Sequence, residues 1–134
     1  DSRLQYLSSE PVIFNGSVND NVLYGANSNN LSYWCSVLNL TDWYIKNKDN
    51  HVGFNGSIIS KGDKKKIQLL HALNKGVNTI IFDEPSTELD NNAIKWLISL
   101  VTQLCTLKKT IIIATHDRRL LTMFEHPINI INLN

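Results

Sequence analysis

Three short stretches of this sequence hold residues whose types and spacing suit chemistry on a phosphate. The first is Asp83-Glu84-Pro85, directly after the apolar run Thr79-Ile80-Ile81-Phe82. Two adjacent carboxylates at the end of a buried strand are costly unless each finds a cation or a proton donor. Phosphoryl-transfer sites use such pairs, one acid supporting Mg²⁺ and the other activating water. The second stretch is Thr115-His116-Asp117, directly after Thr110-Ile111-Ile112-Ile113-Ala114. A histidine there can reach a phosphate, or a water held by the acids. The third is Ser60-Lys61-Gly62-Asp63, followed by Lys64-Lys65-Lys66. A hydroxyl and free amides at a helix start suit an anion. Lysines there oppose the helix dipole by about 0.3–1 kcal/mol each, a cost that a bound polyphosphate would offset. Each stretch alone has a plainer reading: solvated acids at a strand exit, a capping Thr or Asp beside an incidental His, and a capped helix with a basic face. Their conjunction favours chemistry.

The elements that would position them follow from periodicity. Asp90 caps a helix whose expected buried stripe is Ile94, Leu97, Ile98, Val101, Leu104 and Cys105, at spacings of three and four. Gly62 to Leu73 reads as a helix with Ile67, Leu69, Leu70 and Leu73 inward. Residues 79–82 and 110–114 read as continuous apolar strands buried on both faces. Asp117 to Phe124 reads as a helix and Ile128 to Ile131 as a last strand. Strand–helix–strand–helix–strand implies a parallel sheet with right-handed crossovers, ligands sitting at the carboxyl ends of the strands.

Residues 1–60 have a different texture, rich in loops. Val12-Ile13-Phe14 closes on the turn signal Asn15-Gly16, and Ser17 reads as the cap of a helix from Val18 to Leu23 that ends at Gly25. Leu31 to Leu40 suits a helix, Thr41-Asp42 caps a short one through Ile45, and Lys46 to Ile58 reads as loop. The chain therefore divides at about residue 60 within one domain-sized unit.

Composition restricts the classes. Apolar residues are 43% and charged residues 19% of 134, ordinary for a globular protein. The formal net charge of +1 points to neither nucleic acid nor an anionic membrane as partner. No run reaches the ~18 apolar residues of a membrane span. The chain opens on Asp1 without a Met and without a signal-peptide pattern, and reads as cut from something longer. Cys35 and Cys105 lack metal-ligand spacing and read as reduced thiols packed in helices.

In this order and spacing, the motifs resemble the ATP-binding-cassette (ABC) family, over nearly the whole chain. Ile59-Ser60-Lys61-Gly62-Asp63 stands where the family has its L-S-G-G-Q signature. Ile81-Phe82-Asp83-Glu84-Pro85 resembles the end of Walker B, Ser86-Thr87-Glu88-Leu89-Asp90 the D-loop, and His116 the switch histidine. Leu4-Gln5 looks like the Q-loop. Phe14-Asn15-Gly16-Ser17 through Tyr24-Gly25, and His51 through Gly56, are similar to exporter segments. The resemblance implies a partial P-loop NTPase-like α/β fold: residues 1–60 as Q-loop and helical subdomain, and 61–134 as the signature-to-switch part of the ATPase core. It implies ATP and Mg²⁺ as cofactors. Asp83 would support the metal with Gln5 sensing it, Glu84 would act as base, and His116 would meet the γ-phosphate. Ser60, Lys61, Gly62 and Asp63 would lie at ATP held by an opposite subunit, and Asp90 at the seam of a head-to-tail dimer. Further implied partners are a transmembrane domain and a second ATPase domain, at the cytoplasmic face of a membrane.

Two departures stand out. Lys61 replaces the first signature Gly and Asp63 the Gln, and His71 stands where the family usually has Arg. No G-x-x-x-x-G-K-[ST] loop occurs among the 134 residues, so the chain has no β-phosphate cradle in its own sequence. The expectation is a piece of an exporter ATPase that is inactive by itself. The alternative is a degenerate ABC module that docks on a membrane domain or partner ATPase. A soluble ABC protein acting on DNA or ribosomes fits poorly with the neutral charge.

Overall fold

A computed structural model describes residues 3–124 and residue 131. The expected strand Ile128 to Ile131 lies, but for its last residue, outside the described residues. A parallel sheet in the order β1-β2-β3 carries the fold, with β1 at Leu4–Leu7, β2 at Thr79–Asp83 and β3 at Thr110–Ala114. The register pairs Gln5 with Ile80 and Leu7 with Phe82, and sets Phe82 opposite Ile113 and Asp83 opposite Ala114. Side chains alternate along a strand. Leu7, Ile80 and Phe82 therefore share one face, and all three are buried.

Burial of both strands on both faces was the expectation, and the structure corrects it. In β2 only Ile80 and Phe82 are fully buried, while Thr79, Ile81 and Asp83 on the opposite face are half-buried. In β3, Ile112 is 50% exposed and Ile111 and Ile113 are half-buried. Among the described residues the helices pack on one face of the sheet, so only one side of each strand is covered. Continuous Ile runs conceal this, because they satisfy either arrangement.

Two long helices form that cover. Helix α4, Lys61–Asn74, starts because the Ser60 hydroxyl accepts the Asp63 amide at 3.0 Å. It ends at Gly76, whose φ of +80° lets the chain turn left-handed. Ile67, Leu69, Leu70 and Leu73 are buried as expected. Helix α5, Asn91–Thr106, starts on the Asp90 cap, with Ala93 N donating to Oδ1 at 2.8 Å. Its buried stripe is Ile94, Leu97, Leu100, Val101 and Leu104. Cys105 is exposed and Ile98 half-buried: on the helical wheel the buried positions run from Leu100 round to Ile94, and both residues fall just beyond Ile94, at the edge of that stripe. The packed-thiol expectation thus holds for Cys35 and fails for Cys105.

Helices α1 (Val18–Leu23), α2 (Leu31–Val37) and α3 (Thr41–Asn47) form the first region, with α1 and α2 packing on α4. A capping box between Ser17 and Asp20 opens α1 as expected. Helix α2 stops short of Leu40 because Asn39 turns left-handed, at φ +56°. Thr41 and Asp42 lie within the first turn of α3 and do not cap it, and α3 runs past Ile45 to Asn47. The expected loop from Lys46 to Ile58 holds a 3₁₀ turn at Phe54–Gly56 and a fully buried Val52. It is pinned to the start of α1 by Val18 N to Asn50 O (3.0 Å) and Val52 N to Gly16 O (2.9 Å). Helix α6, Arg118–Met123, follows β3 and buries Leu120.

Candidate active site

Strands β2 and β3 deliver the two acidic-histidine stretches to one edge of the sheet. Glu84 leaves β2 with a left-handed backbone, φ +46°, while its amide still bonds Ala114 O of β3 at 2.8 Å. A non-glycine residue in this region is uncommon. Here it turns the carboxylate over the end of β3. Glu84 Oε1 meets Nδ1 of His116 at 2.7 Å, and Oε2 accepts from the Thr115 hydroxyl at 3.2 Å. The expected juxtaposition of Glu84 and His116 is present, with Thr115 as a third member.

The bond to Glu84 raises the His116 pKa above its ordinary value, helped by the Glu84 and Asp117 charges. When protonated, the imidazole donates through Nδ1 and the Glu84–His116 contact becomes a charge-assisted pair. The His116 side chain is 89% exposed. Glu84 is half-buried with both oxygens engaged by the next loop. This is a carboxylate aimed and held, with an exposed imidazole over it.

Asp83 finds a different partner. The Tyr6 hydroxyl donates to its Oδ2, and that bond raises the Tyr6 pKa. Gln5, expected beside the metal acid, is one residue out of phase: its Nε2 donates to Tyr6 O at 3.2 Å, and it pairs with Ile80 on the other face. The two-residue period was the signal that would have selected Tyr6 over Gln5. Among the described residues no three His, Cys, Asp or Glu side chains gather as a metal-binding group. Asp83 therefore fits one position of a Mg²⁺ shell whose other ligands would come from elsewhere, phosphate oxygens included.

Asp117, offered in the sequence as a helix cap, and Arg119, which the sequence did not single out, brace this edge. Asp117 caps α6 through the Arg119 amide at 2.9 Å and pairs with the same residue's guanidinium, Nη2 to Oδ2 at 2.7 Å. Arg119 and the Ser86 hydroxyl hold the Asp117 carboxyl far below the usual carboxylate range. Ser86 is buried, and Arg119 also reaches Leu89 O and Asn91 Oδ1, tying the 84–91 loop to α6. A cleft of about 470 Å³ lies among Glu84, Ser86, Glu88, His116 and Arg119.

The start of α4 lies beside a second cleft of about 620 Å³, between α3, α4 and the start of α5. The Ser60 hydroxyl already caps the helix. Gly62 needs no glycine for packing, since an added Cβ would meet only Ser60 Oγ, at 3.8 Å. That open space leaves room for a ligand to approach the backbone. The two substituted positions point inward to this chain. Lys61 Nζ lies 3.0 Å from Glu10 and 2.8 Å from Glu88. Asp63 Oδ1 accepts from the Trp43 indole at 3.0 Å and from Lys66 at 3.3 Å. Lys66 in turn lies over Trp43 and Trp96, 5.3 and 5.9 Å from the ring centroids. Asp90 has its carboxylate on the Ala93 amide as a helix cap. The structure does not bring Ser60 or Lys61 into contact with Glu84 or His116.

Comparison with known proteins finds similar sequences and a similar fold. The ABC multidrug transporter MDR2 of Trichophyton equinum is 30% identical over 102 residues, which are 70% of this chain and 8% of that protein. An ABC transporter ATP-binding protein of Methanosarcina acetivorans is 40% identical over 62 residues, 46% of this chain and 22% of that protein. The fold matches a bacterial Atm1-family ABC exporter solved with ATP bound, at a TM-score of 0.74 and 20% identity, over 91% of this chain and 22% of that one. No protein-family profile matches. The chain thus spans less than a third of these relatives.

Proposed function

The chain belongs to the ATP-binding-cassette family, and from that premise we propose that it is the signature-to-switch part of an exporter's ATP-hydrolysing domain. Glu84 is the proton acceptor for the attacking water. The observation that carries this reading is the double hold on Glu84, by His116 at 2.7 Å and Thr115 at 3.2 Å, beside Asp83 at the same sheet edge.

In the resting arrangement His116 neutralises the base. When a nucleotide arrives, His116 swings from Glu84 to the γ-phosphate, an anion that competes for the same proton. Thr115 keeps Glu84 in place while the freed Oε1 takes a proton from water. Positioned general bases contribute about 10²–10⁴-fold. A Mg²⁺ bound with ATP would be held in part by Asp83 and would supply charge neutralisation on the phosphates. Ser60 and the Gly62 backbone, at the start of α4, would meet ATP carried by the opposite ATPase domain of a head-to-tail pair, with Asp90 at the seam. Residues 1–60 would dock on a transmembrane domain at the cytoplasmic face.

The sequence has no phosphate loop, so the 134-residue chain neither binds MgATP tightly nor turns it over. Measurable turnover by this chain, abolished by Glu84→Gln, would sink that claim. Joining it to a half that carries a phosphate loop should restore both. The alternative, a docking module without catalysis, is favoured by the inward-turned Lys61 and Asp63. It predicts that the joined protein stays inactive.

A further inference from the structure

We propose that Lys61 is a positioning residue, an ionic strut coupling the start of α4 to the loops that leave β1 and β2. The inference rests on the reading of Glu84 as the base, because the loop that Lys61 holds begins at Glu84. Its test does not depend on turnover.

The strut joins three segments distant in sequence. Glu10 lies in the loop after β1, Glu88 in the loop between β2 and α5, and Lys61 in the first turn of α4. Glu88 has a left-handed backbone, φ +62°, which a residue with a Cβ adopts only when its surroundings hold it. The Lys61 contact at 2.8 Å is one such hold. Glu84, at φ +46°, stands at the other end of the same short loop, and the Thr87 and Leu89 amides bond Glu84 O and Ser86 O within it. Displacement of Lys61 is thereby transmitted along a stretch of five residues.

The neighbouring charges sharpen the geometry. Lys65, one turn along α4, is 92% buried, and among the described residues it has no ion-pair or hydrogen-bond partner within reach. It faces the same two carboxylates from a greater distance, and burial lowers its pKa. Two lysines and two glutamates thus form a four-charge cluster beside the 620 Å³ cleft, which Lys61, Lys65 and Glu88 line, with Lys61 making both short contacts. A glycine here, the residue of the family pattern, would leave Glu10 and Glu88 without their short cationic contact, with only Lys65 and, at Glu10, Lys64 opposing them from a distance. The substitution therefore converts a bare helix start into a joint.

The experiment uses the 134-residue chain without nucleotide. Side-chain carboxyl titrations of Glu10 and Glu88 and amide exchange at Thr87 and Leu89 are compared in wild type, Lys61→Met, Lys61→Arg and Glu10→Gln. Lys61 holds the Glu10 carboxyl below its ordinary value. In Lys61→Met that carboxyl should return to the ordinary range, and exchange at 87 and 89 should rise by up to about fivefold. Exchange at Leu100 and Leu104 of α5 should stay unchanged. Lys61→Arg should restore both readouts, since it keeps the cation. Should Lys61→Met fail to fold, Glu10→Gln decides: it should weaken protection at 87 and 89 while Lys61 still meets Glu88. Unaltered Glu10 titration and loop exchange in Lys61→Met would overturn the proposal. So would equal acceleration throughout α5, which marks general destabilisation.

Discussion

The ends of β2 and β3 and the start of α4 hold comparable sets of polar residues, yet use them oppositely. At the sheet edge, side chains from two loops converge on one atom group, the Glu84 carboxylate. At the helix start, side chains diverge: Lys61 to Glu10 and Glu88, Asp63 to Trp43 and Lys66. Convergence makes a site that can act on something brought to it. Divergence makes a junction that binds parts of the chain to one another. The difference is one of direction: side chains turned toward a shared carboxylate in one region and away to separate partners in the other.

The strongest test of this contrast lies beneath it. Both regions rest on one core, in which Leu70 is fully buried. Leu70→Ala should cost about 2–5 kcal/mol in denaturant unfolding. Trp43 fluorescence and the His116 imidazole signal should report the same midpoint. Two midpoints would mean that the regions are separate units, and the comparison would have to be redrawn.

A smaller effect probes the junction. Asp63→Ala leaves the Trp43 indole without its acceptor and should cost about 1 kcal/mol. Trp43 emission should shift while the His116 signal stays put. A matching shift at His116 would show that the two ends are not independent in this respect.

The smallest effect concerns protonation at the sheet edge. His116 should titrate above its ordinary value of about 6.5 in the intact chain, and return toward it in Glu84→Gln. The sign follows from the raised pKa: the pair contributes fully below about pH 6.5 and is lost as pH rises through the folded value. Imidazole proton shifts followed across pH 5–9 measure this directly. No difference between the two proteins would mean that the Glu84–His116 pair does not form.

Legibility in the sequence followed the range of the interaction. The sheet-edge residues were readable because each follows its strand directly: Asp83-Glu84 after Phe82, Thr115-His116 after Ala114. Helices α1, α4 and α5 were readable from Ser17, Ser60 and Asp90, whose caps act over three residues. Local order could not reveal the partner of Lys61, since Glu10 lies 51 residues away. The Asp63–Trp43 bond spans 20 residues and depends on how α3 packs against α4. The motif marks Gln5, whereas the two-residue period of β1 puts the Gln5 side chain on the face opposite Asp83. The one-sided burial of β3 escaped notice because isoleucine runs carry no alternation to reveal it.

Glu84 is the residue on which hydrolysis would depend, and the most direct test of its role is ATP turnover by the chain joined to a phosphate-loop half, with and without Glu84→Gln. Turnover should fall by about 10²–10⁴-fold while MgATP binding is retained. Unchanged turnover in Glu84→Gln would contradict the assignment of the base, and with it the reading of the sheet edge as the site of hydrolysis.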